Sequence, residues 1–294
     1  MSSQVKKFYT KDLAVRVSFV DSTELCNEIC SLQNTDPFAT IALGRLITGT
    51  VLLASQLWEN QSLSIRLEGD GPLGHLYAES SFEGKVRAYI SHPRIETDLI
   101  PTESLDISKA VGQGVLIVNR NIPFQKAPHT GIVPIVSGEI SQDIAYYLQQ
   151  SHQTPSVVSL TVTLNSEGKI KVAGGVLLEL TPGAPENTIS QIEKKAQQTH
   201  SLSQLLLEEK SAQEIVSNYT HSSDLVPIDH SFPLMFFCKC STQRVEKTLS
   251  LLGRATLAEM ILKGEDLQVK CEFCSKQYQV AIETLRQLLH SLED

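Results

Sequence analysis

The sequence predicts an α+β protein in three parts. These are an N-terminal mixed domain with a mostly antiparallel β-sheet and a buried core helix, a helical linker, and a small C-terminal zinc-binding module. Three observations carry this reading. Alternating apolar and polar segments recur through residues 1–182, joined by turns rich in Gly and Pro. One stretch, Phe38 to Trp58, is almost continuously apolar. Four of the six cysteines lie near the C-terminus as Cys238-Lys-Cys240 and Cys271-Glu-Phe-Cys274. Composition places the boundaries at 1–182, 183–230 and 231–294.

Along the chain, Leu13, Val15, Val17 and Phe19 alternate with polar residues and read as a half-buried strand. A short helix through Glu24–Cys30 follows, with Asp21 or Ser22 as N-cap. Phe38 to Trp58 reaches the length of a membrane span. It carries Arg45 with several Thr, Ser and Gln residues, and no second span exists, so a buried core helix is the better reading. Gly44 and Gly49 are expected to let another backbone approach it. Residues 63–90 read as a β-meander turned at Gly69-Asp-Gly-Pro-Leu-Gly74. A strand at 114–119 comes next. A helix near 141–151, N-capped by Ser141, precedes a strand at 157–164. Asn165-Ser-Glu-Gly168 then turns a hairpin into the run ending at Leu180.

Thr181-Pro-Gly-Ala-Pro185 breaks this pattern, and the next residues are rich in Gln, Glu, Lys and Ser. Capping boxes at Thr188…Gln191 and Ser211…Glu214 open helices whose apolar stripes are narrow. Such stripes dock on a neighbour but form no core of their own, so the order of residues 183–230 depends on what they rest on. In the last part, Val245, Leu249 and Leu252 mark a helix ended by Gly253. Leu257–Leu262 mark a second helix, ended by Gly264. Residues 267–271 and 276–280 flank the second cysteine pair as a hairpin, and a helix closes the chain.

Thirty residues separate the two cysteine pairs. Four thiolates form a closed tetrahedral zinc site, because zinc is borderline-soft and accepts sulfur where no catalytic water is needed. Two structural disulfides or unrelated buried thiols are the competing readings. Alternate residues of a strand point to opposite sides, so the chain must bend at Lys239 for both sulfurs of the first pair to meet one metal. A 64-residue unit with few large apolar groups has little core to spare. Metal loss is therefore expected to unfold it. Lys239, Lys270 and Lys276 flank the cysteines and partly offset a zinc-tetrathiolate. The same thiolates are oxidisable to disulfides. Chemistry alone leaves an inert structural zinc and a redox-sensitive one both open.

Charge narrows the function further. The net charge is −8, with −4 in residues 1–182, −4 in 183–230 and zero in 231–294. The chain lacks the clustered basic residues that displace counterions from nucleic acid. Its first residues lack the apolar stretch of a signal peptide, and cysteines spaced for metal point to a reducing cytosol. Gly69-x4-Gly74-His75 lacks the Lys-Ser/Thr of a phosphate loop, so no nucleotide is expected. No histidine pattern suits a metal, and no GxSxG appears.

The cysteine spacing resembles the zinc-switch motif of the redox-regulated heat-shock chaperone family of about thirty-three kilodaltons. Ala42-Leu-Gly-Arg-Leu46, Glu68-Gly-Asp-Gly-Pro-Leu-Gly74, Ala78-Glu79, Ala173-Gly-Gly175 and Pro182-Gly-Ala184 are similar to that family's segments. So are Phe237, Ser241, Leu252-Gly-Arg254 and Glu259-Met260 inside the C-terminal module. The resemblance spans essentially the whole chain. It implies an ATP-independent holdase of the bacterial cytosol, not an enzyme. When reduced, this protein would be inactive and hold one Zn2+ per chain through Cys238, Cys240, Cys271 and Cys274. It further implies that hypochlorous acid or peroxide with mild heat joins Cys238 to Cys240 and Cys271 to Cys274. Zinc then leaves, and module and linker lose structure. The surface so exposed binds unfolded or partly unfolded client proteins on a chain that tends to dimerise. Nucleotide, nucleic acid and membrane are not implied as partners.

Cys26 and Cys30 lie outside the motif and share a helix face, as residues expected to be buried. Two other readings stand beside the holdase. One is an interaction or regulatory protein with a purely structural zinc. The other is a dithiol oxidoreductase using the CxxC, which the predicted hairpin disfavours because such motifs sit at a strand-to-helix step.

Overall fold

The structure is a computed structural model that describes residues 3–95, 106–185, 187–188, 190–192, 194, 201–222, 224–228 and 233–292. It divides into two compact units, Met1–Phe237 and Cys238–Asp294.

Two sheets build the first unit. In one, the strand order is β10-β1-β2-β9-β8, with β1 at Val5–Thr10, β2 at Val15–Asp21, β8 at Ser156–Leu164, β9 at Ile170–Leu180 and β10 at Leu225–Ile228. In the other it is β11-β5-β4-β3-β6-β7, formed by β3 (Ser62–Gly69), β4 (His75–Ser81), β5 (Lys85–Ile90), β6 (Gly114–Asn121), β7 (His129–Pro134) and β11 (Met235–Phe236). Every pairing is antiparallel except that of β11 with β5.

Helix α1 spans Thr23–Gln33 and α2 spans Pro37–Ala54. Asp36 starts α2 by accepting the Ala39 N–H at 2.8 Å, and Pro37 supplies the fixed φ of a first helical residue. The helix packs on β3, β4 and β5 of one sheet and on β2, β8 and β9 of the other. Every residue of α2 except Pro37 and Arg45 is buried. That double burial explains an apolar stretch long enough to cross a membrane. Its buried hydroxyls are satisfied locally: Thr48 donates to the Gly44 carbonyl and Thr50 to the Leu46 carbonyl, both at 2.7 Å. Arg45 pairs with Glu139.

Several expectations change. Gly44 and Gly49 admit side chains rather than a backbone: a Cβ there would lie 2.9 Å from Val162 Cγ2 and 2.4 Å from Ile144 Cδ1, respectively. Ser22 is the N-cap of α1, one of the two residues expected there, but its hydroxyl bonds Thr48 Oγ1 at 2.7 Å and makes no cap bond to the helix. Ile140, not Ser141, is the N-cap of α4 (Ser141–His152), whose first turn is tied through Asp143. Strands β1, β7, β10 and β11 and the helix α3 (Ile107–Val111) carry patterns too short or too polar to read.

Residues 201–228 also join the first unit. Ser201 and Ser211 form capping boxes with Gln204 and Glu214, opening the helices Leu202–Leu207 and Ala212–Thr220. Leu202, Leu205, Ile215, Val216 and Tyr219 are buried together with Phe8, Val15, Val17, Phe19, Val176 and Leu178. These helices therefore cover one face of the first sheet, and β10 extends its edge, so the segment is not wholly helical. Thr188 and Gln191 are both described, with the Gln191 N–H donating to the Asn187 carbonyl at 3.0 Å, but the helix expected to follow lies partly outside the described residues.

In the second unit, helices Thr242–Ser250, Arg254–Leu262 and Ile282–His290 surround the hairpin of β12 (Leu267–Lys270) and β13 (Gln277–Val280). Gly253 is the N-cap of the second of these helices and does not end the first, which stops at Ser250. The buried core is small: Leu249, Leu257, Val280 and Leu285.

Candidate metal centre

The hairpin positions one cysteine pair. Lys270 faces Gln277 in register, and Cys271–Cys274 make the turn beyond them. The Cys271 N–H donates to the Lys276 carbonyl, and the Ser275 N–H donates to the Cys271 carbonyl, each at 2.9 Å. Ser275 takes a left-handed φ of 58° to complete the knuckle. The other pair leads into a helix. Ser241 caps Thr242–Ser250 by accepting the Arg244 N–H at 3.3 Å, so Cys240 stands immediately before a helix N-terminus, where a thiolate is favoured.

All four sulfurs lie within 4.8 Å of one another, and each cysteine is half-buried. Cys238 Sγ is 3.7 Å from Cys271 Sγ, and Cys240 Sγ is 3.3 Å from Cys274 Sγ. Four sulfurs bound at 2.3 Å to one zinc stand about 3.8 Å apart, so the observed spacing suits a tetrahedral ion. Among the described residues this is the one cluster of three or more His, Cys, Asp or Glu side chains able to hold a metal.

Electrostatics argue for a cation as well. Burial pushes the Cys238 thiol up. Burial, reinforced by the neighbouring sulfurs, pushes Cys274 up to about 12. Burial opposes ionisation of Cys240 too. There, the Tyr278 hydroxyl and the surrounding thiols outweigh it and bring the thiol down to about 7. Without a cation, then, one sulfur ionises readily at the expense of its neighbours. Four thiolates coexist only around a positive ion.

Tyr278 is the residue that spacing did not single out. Its hydroxyl donates to Cys240 Sγ at 2.9 Å, and its ring lies 5.2 Å below Lys276 Nζ. The signal was present in the alternation of Gln277-Tyr-Gln-Val280, which puts Tyr278 on the inward face with Val280. Cys26 and Cys30 are apart from this site and buried in α1. Burial raises Cys26 to about 11 and Cys30 further still, so both are poor nucleophiles.

A mixed α+β chain whose C-terminal unit gathers four cysteines around a metal-sized space is the class of protein these features define. The chain belongs to the Hsp33 family: the family model described as Hsp33 protein matches residues 3–281. It is 34% identical over 294 residues to the 33 kDa chaperonin of Shouchella clausii (strain KSM-K16), covering 100% of this chain and 99% of that one. It is 35% identical over 291 residues to the 33 kDa chaperonin of Syntrophotalea carbinolica (strain DSM 2380 / NBRC 103641 / GraBd1), covering 98% and 100%. The crystal structure of the 33 kDa chaperonin (heat shock protein 33 homolog) from Thermotoga maritima superposes with a TM-score of 0.89 at 28% identity over 100% of both chains. The family is one of chaperones, not of enzymes.

Proposed function

We propose that the protein is a redox-regulated, ATP-independent holdase of the bacterial cytosol. In the reduced state Cys238, Cys240, Cys271 and Cys274 would hold one Zn2+, which supplies the charge that keeps four sulfurs together as thiolates. The observation that carries this reading is the cluster itself: four sulfurs within 4.8 Å, in a unit whose buried hydrophobic cluster is only Leu249, Leu257, Val280 and Leu285. A structural zinc contributes roughly 10–16 kcal/mol in peptide systems, about the whole stability of a domain. A core of that size does not replace it.

Oxidation then acts on the chain's own sulfurs. One thiolate of a pair attacks peroxide, giving a sulfenic acid and hydroxide. The second thiolate displaces another hydroxide as the S–S bond forms. Two pairs thus pass four electrons to two peroxides, and no zinc-binding thiolate remains. With Cys238–Cys240 and Cys271–Cys274 joined, the second unit loses its closure and residues 183–230 lose order. Release of the helices Leu202–Leu207 and Ala212–Thr220 would uncover Phe8, Val15, Val17, Phe19, Val176 and Leu178, an apolar sheet face suited to unfolded clients. An exposed face of that kind also accounts for dimerisation on activation.

The test is light scattering from a thermally unfolding client, without ATP, in the presence of reduced or peroxide-treated protein. Protection by the oxidised form alone is expected. Equal protection by both forms removes the switch. A variant with all four cysteines changed to Ser separates the readings further. It protects constitutively if the zinc is a latch, and is unfolded and functionless if the zinc is purely structural.

A further inference from the structure

The first unit contains a cavity of about 380 Å3 between the end of α2, the start of β3, the β6–β7 hairpin and the last turns of α4. Its size falls in the lower part of the ~300–1,000 Å3 range of small-molecule sites. Leu53, Leu57, Leu63 and Leu148 give it an apolar wall. Arg120, His129 and His152 contribute basic groups, and among the described residues no Asp or Glu lines it.

Arg120 is the informative residue. Its Nε and Nη2 donate to the Gln61 side-chain oxygen at 3.2 and 2.8 Å, which fixes the guanidinium without neutralising it. In the same unit Arg16, Arg45, Arg66 and Arg87 each pair with a glutamate, whereas Arg94, held by Asn34, and Arg120 have no carboxylate partner among the described residues, and of these two Arg120 lines the cavity. The carboxylate that touches the lining, Glu179 on Gln56, is already paired with Arg16. His152 Nε2 lies 3.2 Å from the Tyr147 hydroxyl. Burial and then the Arg120 charge push His152 toward its neutral form. An anion seated among these groups relieves that repulsion.

We propose that this cavity binds a small organic anion, with its carboxylate or phosphate head on Arg120, His129 and His152 and its apolar body against the leucines. A planar guanidinium fork suits either head group. The site shares no residue with the cysteine cluster and does not depend on the redox reading.

Trp58, the only tryptophan, is exposed and follows the lining residue Leu57, so it offers a fluorescence reporter. Phenyl phosphate, benzoate and the neutral benzyl alcohol are titrated into the full reduced protein, with calorimetry giving the stoichiometry. Expected is saturable one-to-one binding of at least one of the two anions, at least about tenfold tighter than the alcohol. The tighter of the two identifies the head group. Arg120→Gln is expected to weaken it at least about tenfold. If that variant does not fold, His129→Gln on the exposed end of β7 is expected to weaken it severalfold. Failure of both anions to saturate, equal affinity for the alcohol, or wild-type affinity in the folded variant overturns the proposal.

Discussion

Tyr278 differs from phenylalanine by one hydroxyl, and against the opposing effect of burial that hydroxyl joins the neighbouring thiols in bringing the Cys240 thiol down. Removing an outer-shell hydrogen bond from a metal ligand typically costs about 10–100-fold in affinity. Tyr278→Phe keeps the ring and its packing, so zinc affinity is expected to fall by that factor, measured by competition with a chromogenic chelator. Unchanged affinity would show that the hydroxyl plays no part in holding the site. Glu179 makes a separate claim on unit 1. Burial raises its pKa above the ordinary 4.5, despite the opposing effects of Arg16, Gln56 and Lys7. The folded chain therefore binds this proton more tightly than the unfolded chain does. Its contribution to stability is complete below the ordinary carboxylate pKa and is lost as pH rises through the folded value. Against Glu179→Gln, the wild type is expected to lose relative stability as pH rises from about 4, read from urea midpoints. A pH-independent difference between the two proteins would contradict this.

At the level of elements, the helices Leu202–Leu207 and Ala212–Thr220 are the covering piece of the proposed switch. Ile215 is fully buried against the first sheet. Ile215→Asp places an unpaired charge there, at a cost of several kcal/mol, and is expected to lift the second of these helices. Reduced, zinc-loaded Ile215→Asp protein should then protect clients that the reduced wild type does not, as measured by light scattering. Retained inactivity in that state would place the client surface elsewhere. The sequence made these helices legible through their capping boxes but did not reveal their seat, because a narrow apolar stripe specifies no partner. The core helix was legible because it is apolar on every face. Strand β7 was not, because its alternation is broken by Gly131 and Pro134 at an exposed edge. The segment Gly69-Asp-Gly71 was read as a turn. Its glycines answer a tighter demand: a Cβ at Gly69 would sit 1.9 Å from the Val111 carbonyl oxygen, and one at Gly71 would sit 2.4 Å from that of Ala110. The end of helix α3 that imposes this is distant in sequence, so the turn was visible and its reason was not. The gathering of the four cysteines was legible, since two tight thiol pairs in one short unit have the spacing that a metal site uses. Tyr278 was not, since one aromatic on an alternating strand reads as core.

Over the whole molecule, the direction of disulfide pairing decides what oxidation does. The shortest sulfur contacts run across the pairs, Cys238 to Cys271 and Cys240 to Cys274. Disulfides there would close loops of 33 and 34 residues, each adding about 4 kcal/mol by the chain-entropy estimate. They would staple the second unit shut. Bonds within Cys238–Cys240 and Cys271–Cys274 close only tiny loops and leave the two halves of the site unconnected. Opening therefore requires the local pairs, and the zinc acts as a latch only if oxidation forms them. The most direct test samples one peroxide-treated protein at mild heat for zinc in solution and client protection at the same time points. The account predicts that about one zinc per chain appears in step with the gain of protection. Protection that is already complete before any zinc is released, or zinc release that brings no protection, would contradict it.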